Sequence, residues 1–303
     1  MKRTLLAAAA ALPALLACSP RGYASRVLAN ALASSPTGGV YAQDDDPELV
    51  RAAVPFGLKT MESLLVEHPD HAGLLAALAS GFTQYAYGFV QAESEAADLR
   101  GQAGIAQAAK ARARKLYLRA RDYGLRGLEV RYPGLAAKLR GARDLEPALA
   151  FVKKEDVPLV YWTAASWALA IAAGKEDMLL VSELPVPPAM MQRALALDEA
   201  FEEGAIHEFF VSWDAAQGGP DGLARARAHF DRAIALSKGK KLGVLVSYAE
   251  SVSVRRQDRA EFTRLLEQVL AHDVEADQEH RLANVLAQRR ARLLLNHVED
   301  LFA

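Results

Sequence analysis

The sequence predicts an all-α protein: a superhelical stack of degenerate helical hairpins closed by a C-terminal capping helix. Three observations carry that prediction. Alanine and leucine dominate, while the alternating Thr-, Asn- and Gly-rich stretches that build sheets are missing. Apolar residues recur at spacings of three and four along most of the chain. The helical runs are of ordinary length and are separated by short Pro-, Gly- and Asp-containing breaks, which makes successive helices antiparallel neighbours. With 303 residues, 51% of them apolar, there is ample material for a core.

The first element is a leader. Lys2 and Arg3 form a basic start, residues 5–16 an apolar run broken by Pro13, and small Ala17 precedes Cys18, the single cysteine of the chain. This is the layout of a lipoprotein signal over 1–17, with a plain secretory signal as the alternative. The mature chain is then expected to begin at an acylated Cys18, held at a membrane surface. Ser19 after it points to the outer rather than the inner membrane, where sorting reads an Asp at that position. No run, here or later, is read as reaching the roughly 20 apolar residues that span a bilayer. Losing Lys2 and Arg3 reduces the 36 basic residues to 34 against 37 acidic ones, a formal charge of −3, which argues against a nucleic-acid partner.

Residues 18–46 read as a lipidated tether carrying one short helix, because Tyr23, Val27, Leu28, Ala31 and Leu32 fall at helical spacing before a Ser-Pro-Gly break. The folded domain is expected over 47–303. Asp44-Asp45-Asp46-Pro47-Glu48 opens it as an N-cap followed by a first-turn proline; with no glycine turn and no distal Glu, a calcium loop is the poorer reading. Helices follow at 47–66, 71–92, 105–131, 157–173, 187–197, 200–216, 221–237, 242–254, 259–272 and 277–302, with interruptions at 93–104 and 135–156. His68 and His71 bracket a Pro69-Asp70 helix start and are read as turn and cap rather than as metal ligands.

The repeats within this series have a recognisable grammar. Ala226, Phe230 and Ala233 carry the small-large-small spacing at which the two helices of a tetratricopeptide hairpin cross. Degenerate copies stand at 54–69, 113–120, 190–198 and 261–270. The last helix places Ala287, Ala291, Leu294, Val298 and Leu301 on one stripe, with Arg289, Arg290 and Arg292 away from it, and is expected to cap the stack.

Catalytic signatures are absent: there is no nucleophile elbow, phosphate-cradling glycine loop, zinc-protease motif or cysteine pair. No cofactor is called for. Aromatic density is the remaining signal. Phe82, Tyr85 and Phe89 fall on one face, Tyr161 and Trp162 lie together, Phe209, Phe210 and Trp213 form a third group, and Tyr248 lies on a fourth helix. Each has a plain reading as inter-helix core and a functional one as the wall of a ligand cavity, where an apolar ring with a polar tip suits a small molecule. Tyr85, Tyr161 and Trp162 are the foremost cavity candidates. Arg255 and Arg256, beside Gln257-Asp258, are candidates for meeting a partner or an anionic group; Lys238, Lys240 and Lys241 read as a solvated loop.

Several phrases resemble one family. They are Gly81-Phe82-Thr83-Gln84-Tyr85-Ala86, Lys154-Glu155-Asp156-Val157-Pro158 leading into Tyr161-Trp162-Thr163, His207-Glu208-Phe209-Phe210, Val246-Ser247-Tyr248-Ala249-Glu250 and Asn284-Val285-Leu286-Ala287-Gln288. Together they are similar to the T-component lipoproteins of TRAP (tripartite ATP-independent periplasmic) transporters. The resemblance implies a periplasm-facing, non-enzymatic lipoprotein of tetratricopeptide-like hairpins. It also implies a homotrimer, association with the periplasmic solute-binding P subunit, and a channel through which a ligand could pass. The reading from a different class is a scaffold for envelope protein assembly that handles no ligand.

Overall fold

The computed structural model describes residues 20–34 and 39–302, and every regular element among them is helical. Cys18 and the expected leader lie outside the described residues. The elements are α1 (Pro20–Ser34), α2 (Gly39–Ala42), α3 (Pro47–Glu67), α4 (Ala72–Tyr85), α5 (Ala92–Leu99), α6 (Ala103–Arg131), α7 (Leu135–Arg140), α8 (Leu145–Leu149), α9 (Val157–Ala173), α10 (Met178–Val181), α11 (Val186–Leu197), α12 (Ala205–Gln217), α13 (Gly219–Ser237), α14 (Gly243–Tyr248), α15 (Arg259–Ala271), α16 (Arg281–Asn296) and α17 (Val298–Leu301). Wide π-helical turns at Ala86–Gln91 and Ala249–Ser253 join α4 to α5 and extend α14.

The ends of these helices follow local chemistry. Asp46 caps α3, its carboxylate accepting from the Glu48 and Leu49 amides at 3.0 Å, with Pro47 behind it where a missing N–H is harmless. His71 caps α4 by accepting from the Leu74 amide at 3.1 Å. Asp177 and Asp258 do the same for α10 and α15.

Three differences from the sequence pattern have clear causes. Helix continues through most of the expected break at 93–104, because Ser94 and Ala97 are buried and Ser94 Oγ donates to the Ala106 carbonyl at 2.7 Å, tying α5 to α6. The expected helix at 277–302 is broken at its start by single 3₁₀ turns and at His297. Residues 20–34 form a helix of fifteen residues that packs on α3 and α4 with Ala29 fully buried. A Cβ on Gly73 would stand 2.8 Å from that of Ala33, so only glycine admits α1 this close to α4.

One segment does meet the length and composition of a bilayer span, contrary to the sequence reading: Lys154–Ala173, which is α9 with the 3₁₀ turn that precedes it. Its surroundings explain its hydrophobicity, since 61% of it is buried among α4, α6 and α11. Gly124 and Gly127 of α6 give it room, meeting Thr163 and Leu159 where a Cβ would clash.

The core has two parts. One runs from Ala29 to Phe210 and centres on Tyr117 and Trp167; the other runs from Val211 to Leu294 around Tyr248 and Phe262. They meet at adjacent residues of α12. The last long helix, α16, returns to the beginning of the chain. Arg289 holds Glu48 at 2.9 Å and Arg281 holds Asp45 at 3.0 Å, so α2 and α3 stand against α16.

Candidate ligand cavity

This closure shapes a partly open cavity of about 1650 Å³ bounded by α3, α4, α5, α9, α12, α14 and α16. Helical spacing builds two of its walls. On α9, Tyr161, Trp162, Ala165, Ala168, Leu169 and Ala172 face inward; on α12, Ala205, Glu208, Phe209, Ser212, Trp213 and Ala216 do. The third wall depends on the wide turn after α4. An i→i+5 turn inserts one residue and rotates the succeeding side chains by about 100° relative to an uninterrupted α-helix, so that Tyr85, Tyr87, Phe89 and Glu95 all reach the same space. Gly88 in that turn leaves room for Leu286 of α16, which would lie 3.3 Å from an added Cβ.

Of the aromatic candidates, Tyr85, Phe89, Tyr161, Trp162 and Phe209 line the cavity. Tyr161 stands edge-on to Trp162, and Phe209 stacks on Trp213 at 5.8 Å. Phe82 and Tyr248 do not line it. Phe82 is turned into the seam with α6, stacked on Tyr123 and covered by Arg119; Tyr248, 1% exposed, is packed on Phe230 at 4.3 Å. Arg255 and Arg256 lie on an exposed loop away from the cavity, with Arg256 near Asp258 and Glu261 at 3.9 and 3.8 Å.

Trp213, of the third aromatic group, lines the cavity too, whereas sequence reasoning passed over Tyr87 and a set of charged groups. Glu208 is on the wall, as are Glu202, Glu250, Lys241 and Arg290. The stripe containing Glu208, Phe209, Ser212 and Trp213 was legible from its spacing. Tyr87 and Glu250 were not, because each sits in a wide turn that breaks the α period. Glu202 was hidden for another reason: Glu202, Glu203 and Gly204 all have positive φ (41°, 53° and 93°), a left-handed run that no periodicity announces.

The electrostatics follow from enclosure. Desolvation pushes the phenols of Tyr161 and Tyr87 up, although Tyr87 keeps 54% of its surface exposed, and nearby carboxylates push them further: Glu208 and Glu202 on Tyr161, Glu95, Glu208 and Glu250 on Tyr87. Desolvation also raises Glu202, with Glu208 adding to the rise and Lys241 opposing it. Glu250 is raised by burial, although Arg290 works against this. Arg290 itself is pulled down by desolvation, but Glu250 and Glu95, the latter at 3.0 Å, outweigh that and hold it firmly charged.

Two further clusters of titratable side chains stand near it, the second reaching its wall through His280. His207 and His229 share a hydrogen bond of 2.7 Å where the two parts of the core meet, flanked by Glu199 and Asp214. Asp277, Glu279 and His280 bring three ligand-type atoms within 4.8 Å of one another, but Asp277 is engaged by Lys240 at 3.3 Å and His280 by Glu203 at 2.7 Å. Neither resembles an assembled catalytic constellation of nucleophile, base and oxyanion donors.

The family model for the TRAP transporter T-component matches residues 43–302, from just before the α3 cap to the last described residue. The chain belongs to that family. It is thus an auxiliary part of a TRAP-type transport system of the bacterial cell envelope. It is also similar to an uncharacterized protein of Treponema pallidum (strain Nichols), with 29% identity over 303 positions that cover 94% of this chain and 93% of that one.

Proposed function

We propose that this T-component is a non-enzymatic, lipid-anchored accessory that docks the periplasmic solute-binding P subunit and gives a small ligand a passage through its aromatic-lined cavity. The observation that supports this most is the cavity itself: about 1650 Å³, larger than a typical small-molecule site, with Tyr85, Phe89, Tyr161, Trp162 and Phe209 on its walls. The paired helices α3 with α4, α6 with α9, α12 with α13 and α15 with α16 support a tetratricopeptide-like superhelical arrangement over 47–303. Residues 18–46 act in this proposal as the link to an acylated Cys18 in the outer membrane, the copies form a homotrimer, and exposed Arg255 and Arg256 contribute to the docking surface.

The test is to mix residues 19–303 with the P subunit encoded nearest to it and follow association by analytical ultracentrifugation. A defined complex is expected, weakened by Arg255→Glu. No association at high micromolar concentration would favour envelope scaffolding instead. Anchoring is checked separately: Cys18→Ser should move the protein from the membrane fraction to the soluble one, and unchanged fractionation would remove the lipid anchor.

A further inference from the structure

Helix α12 belongs to both parts of the core: Phe210 closes the first and Val211 opens the second. Beside that point His207 of α12 meets His229 of α13, with their Nδ1 atoms 2.7 Å apart. Phe210 stacks on the His229 ring at 4.9 Å, and His207 is only 6% exposed, so water does not replace its partner. Glu208, Phe209, Ser212 and Trp213 put one face of α12 on the cavity wall. Helical spacing places His207, with Phe210, Val211 and Asp214, on the opposite face. The histidine pair thus holds α12 to α13 from behind that wall.

This arrangement admits one added proton but not two. A hydrogen bond between two ring nitrogens needs one that carries hydrogen and one that is bare. Neutral rings satisfy this, and so does a pair with one extra proton. A second extra proton sets two N–H groups against each other at 2.7 Å, with like charges on neighbouring rings. The surrounding charges do not absorb it. Glu199 faces His207 Nε2 at 3.2 Å, but Arg232 already grips both its oxygens, at 2.6 and 2.8 Å. Asp214 faces His229 Nε2 at 3.7 Å, and Arg225 holds it at 3.2 Å. These four fixed charges cancel. Other acids on the packed elements are engaged elsewhere: Asp198 with Lys154, Glu203 with His280 and Asp231 with Arg227, while Glu208 turns to the cavity.

We infer that the His207–His229 pair is a proton-operated joint: when both rings are charged, α12 and α13 part at this point, and Glu208, Phe209 and Trp213 shift on the cavity wall. Because α12 bridges the two parts of the core, this movement requires neither part to unfold. Burial holds both rings below their ordinary 6.5, which puts the step in mild acid. The inference rests on the cavity reading given under Proposed function and adds a control on that cavity.

The test uses the full chain carrying Cys18→Ser and labelled with 5-fluorotryptophan, followed by fluorine NMR as the pH is lowered from about 7.5 to about 5. Trp213 reports the cavity wall; Trp167, fully buried in the first part of the core, is the reference. Trp213→Phe assigns the signal. The Trp213 resonance is expected to shift in one step below about 6.5, steeper than a one-proton titration because the two rings titrate as a unit. Trp167 and far-UV circular dichroism should stay unchanged. In His229→Gln the amide can donate to His207 or accept from it, so the step should vanish although every other histidine remains. His207→Gln should abolish it from the other helix. Three results would overturn the joint: a Trp213 signal that stays flat while both rings titrate, a step that survives both substitutions, or helix loss that accompanies the step. None of them touches the cavity reading, which the ultracentrifugation tests.

Discussion

Asn284 satisfies two backbone groups at once: its carbonyl accepts from the Leu242 amide at 3.1 Å and its amide donates to the Lys240 carbonyl at 2.9 Å. It is 1% exposed, so no solvent replaces it. Asn284→Ala is expected to cost about 1–3 kcal/mol, read as a lower urea midpoint, because the orphaned amide and carbonyl stay buried. Gly124→Ala should be at least as damaging by a steric route. Its new Cβ would lie 2.1 Å from Thr163 Oγ1 and 2.9 Å from Thr163 Cβ, in the tightest contact of α6 with α9, and overpacking of this kind costs about 1–3 kcal/mol. The His207–His229 pair sets a pH dependence. Burial holds both rings below their ordinary value of 6.5, so once the pH falls below about 6.5 the unfolded chain binds more protons than the folded one. Stability is therefore full above that pH and declines as acid is added. Denaturation midpoints at successive pH values should show this decline, and His229→Gln, which keeps a hydrogen-bonding partner for His207, should make it shallower. Glu199 acts in a separate window: Arg232 holds its carboxyl down to about 2, so its contribution is lost as pH falls from about 4.5 towards 2.

At the scale of elements, what could be read from the sequence depended on whether the α period held. The helices at 47–66, 157–173, 221–237 and 259–272 are found within two residues of where their apolar spacing and caps place them. The same period located Tyr161, Trp162 and Phe209, which lie on uninterrupted helices. It could not separate the two sides of a wall: Phe82 is one turn from the cavity-lining Tyr85 yet packs on Tyr123, and both are aromatic residues of one helix. Nor could it follow the chain through the wide turns, where Tyr87 and Glu250 are turned inward by an inserted residue. Those turns depend on α16 lying close. Gly88→Val places a branched side chain against Leu286, where even a Cβ would be at 3.3 Å, and should displace α16 at a cost of about 1–3 kcal/mol. A midpoint unchanged within error would mean that α16 does not pack tightly on this turn.

At the scale of the whole molecule, the decisive property is that the end of the chain returns to its beginning, a relation between residues more than 230 positions apart that no local pattern encodes. The contacts that make it are of two kinds. Arg281 with Asp45 and Arg289 with Glu48 are solvent-screened surface pairs, so they direct the closure more than they stabilise it. The packing of Leu286 over Gly88 and of Arg290 between Glu95 and Glu250 holds α16 to the cavity wall. Charge reversal at both exposed sites, Arg281→Glu with Arg289→Glu, should therefore leave global stability nearly unchanged while loosening α16 as a door. Fluorescence can separate these effects, because Trp162 and Trp213 line the cavity whereas Trp167 is fully buried with its indole N–H on Glu183. In the reversed variant, acrylamide should quench the accessible tryptophan fraction markedly faster, at an unchanged urea midpoint. Equal quenching in both proteins would mean that solute enters by another route, and that α16 is a fixed wall of the cavity rather than its moving part.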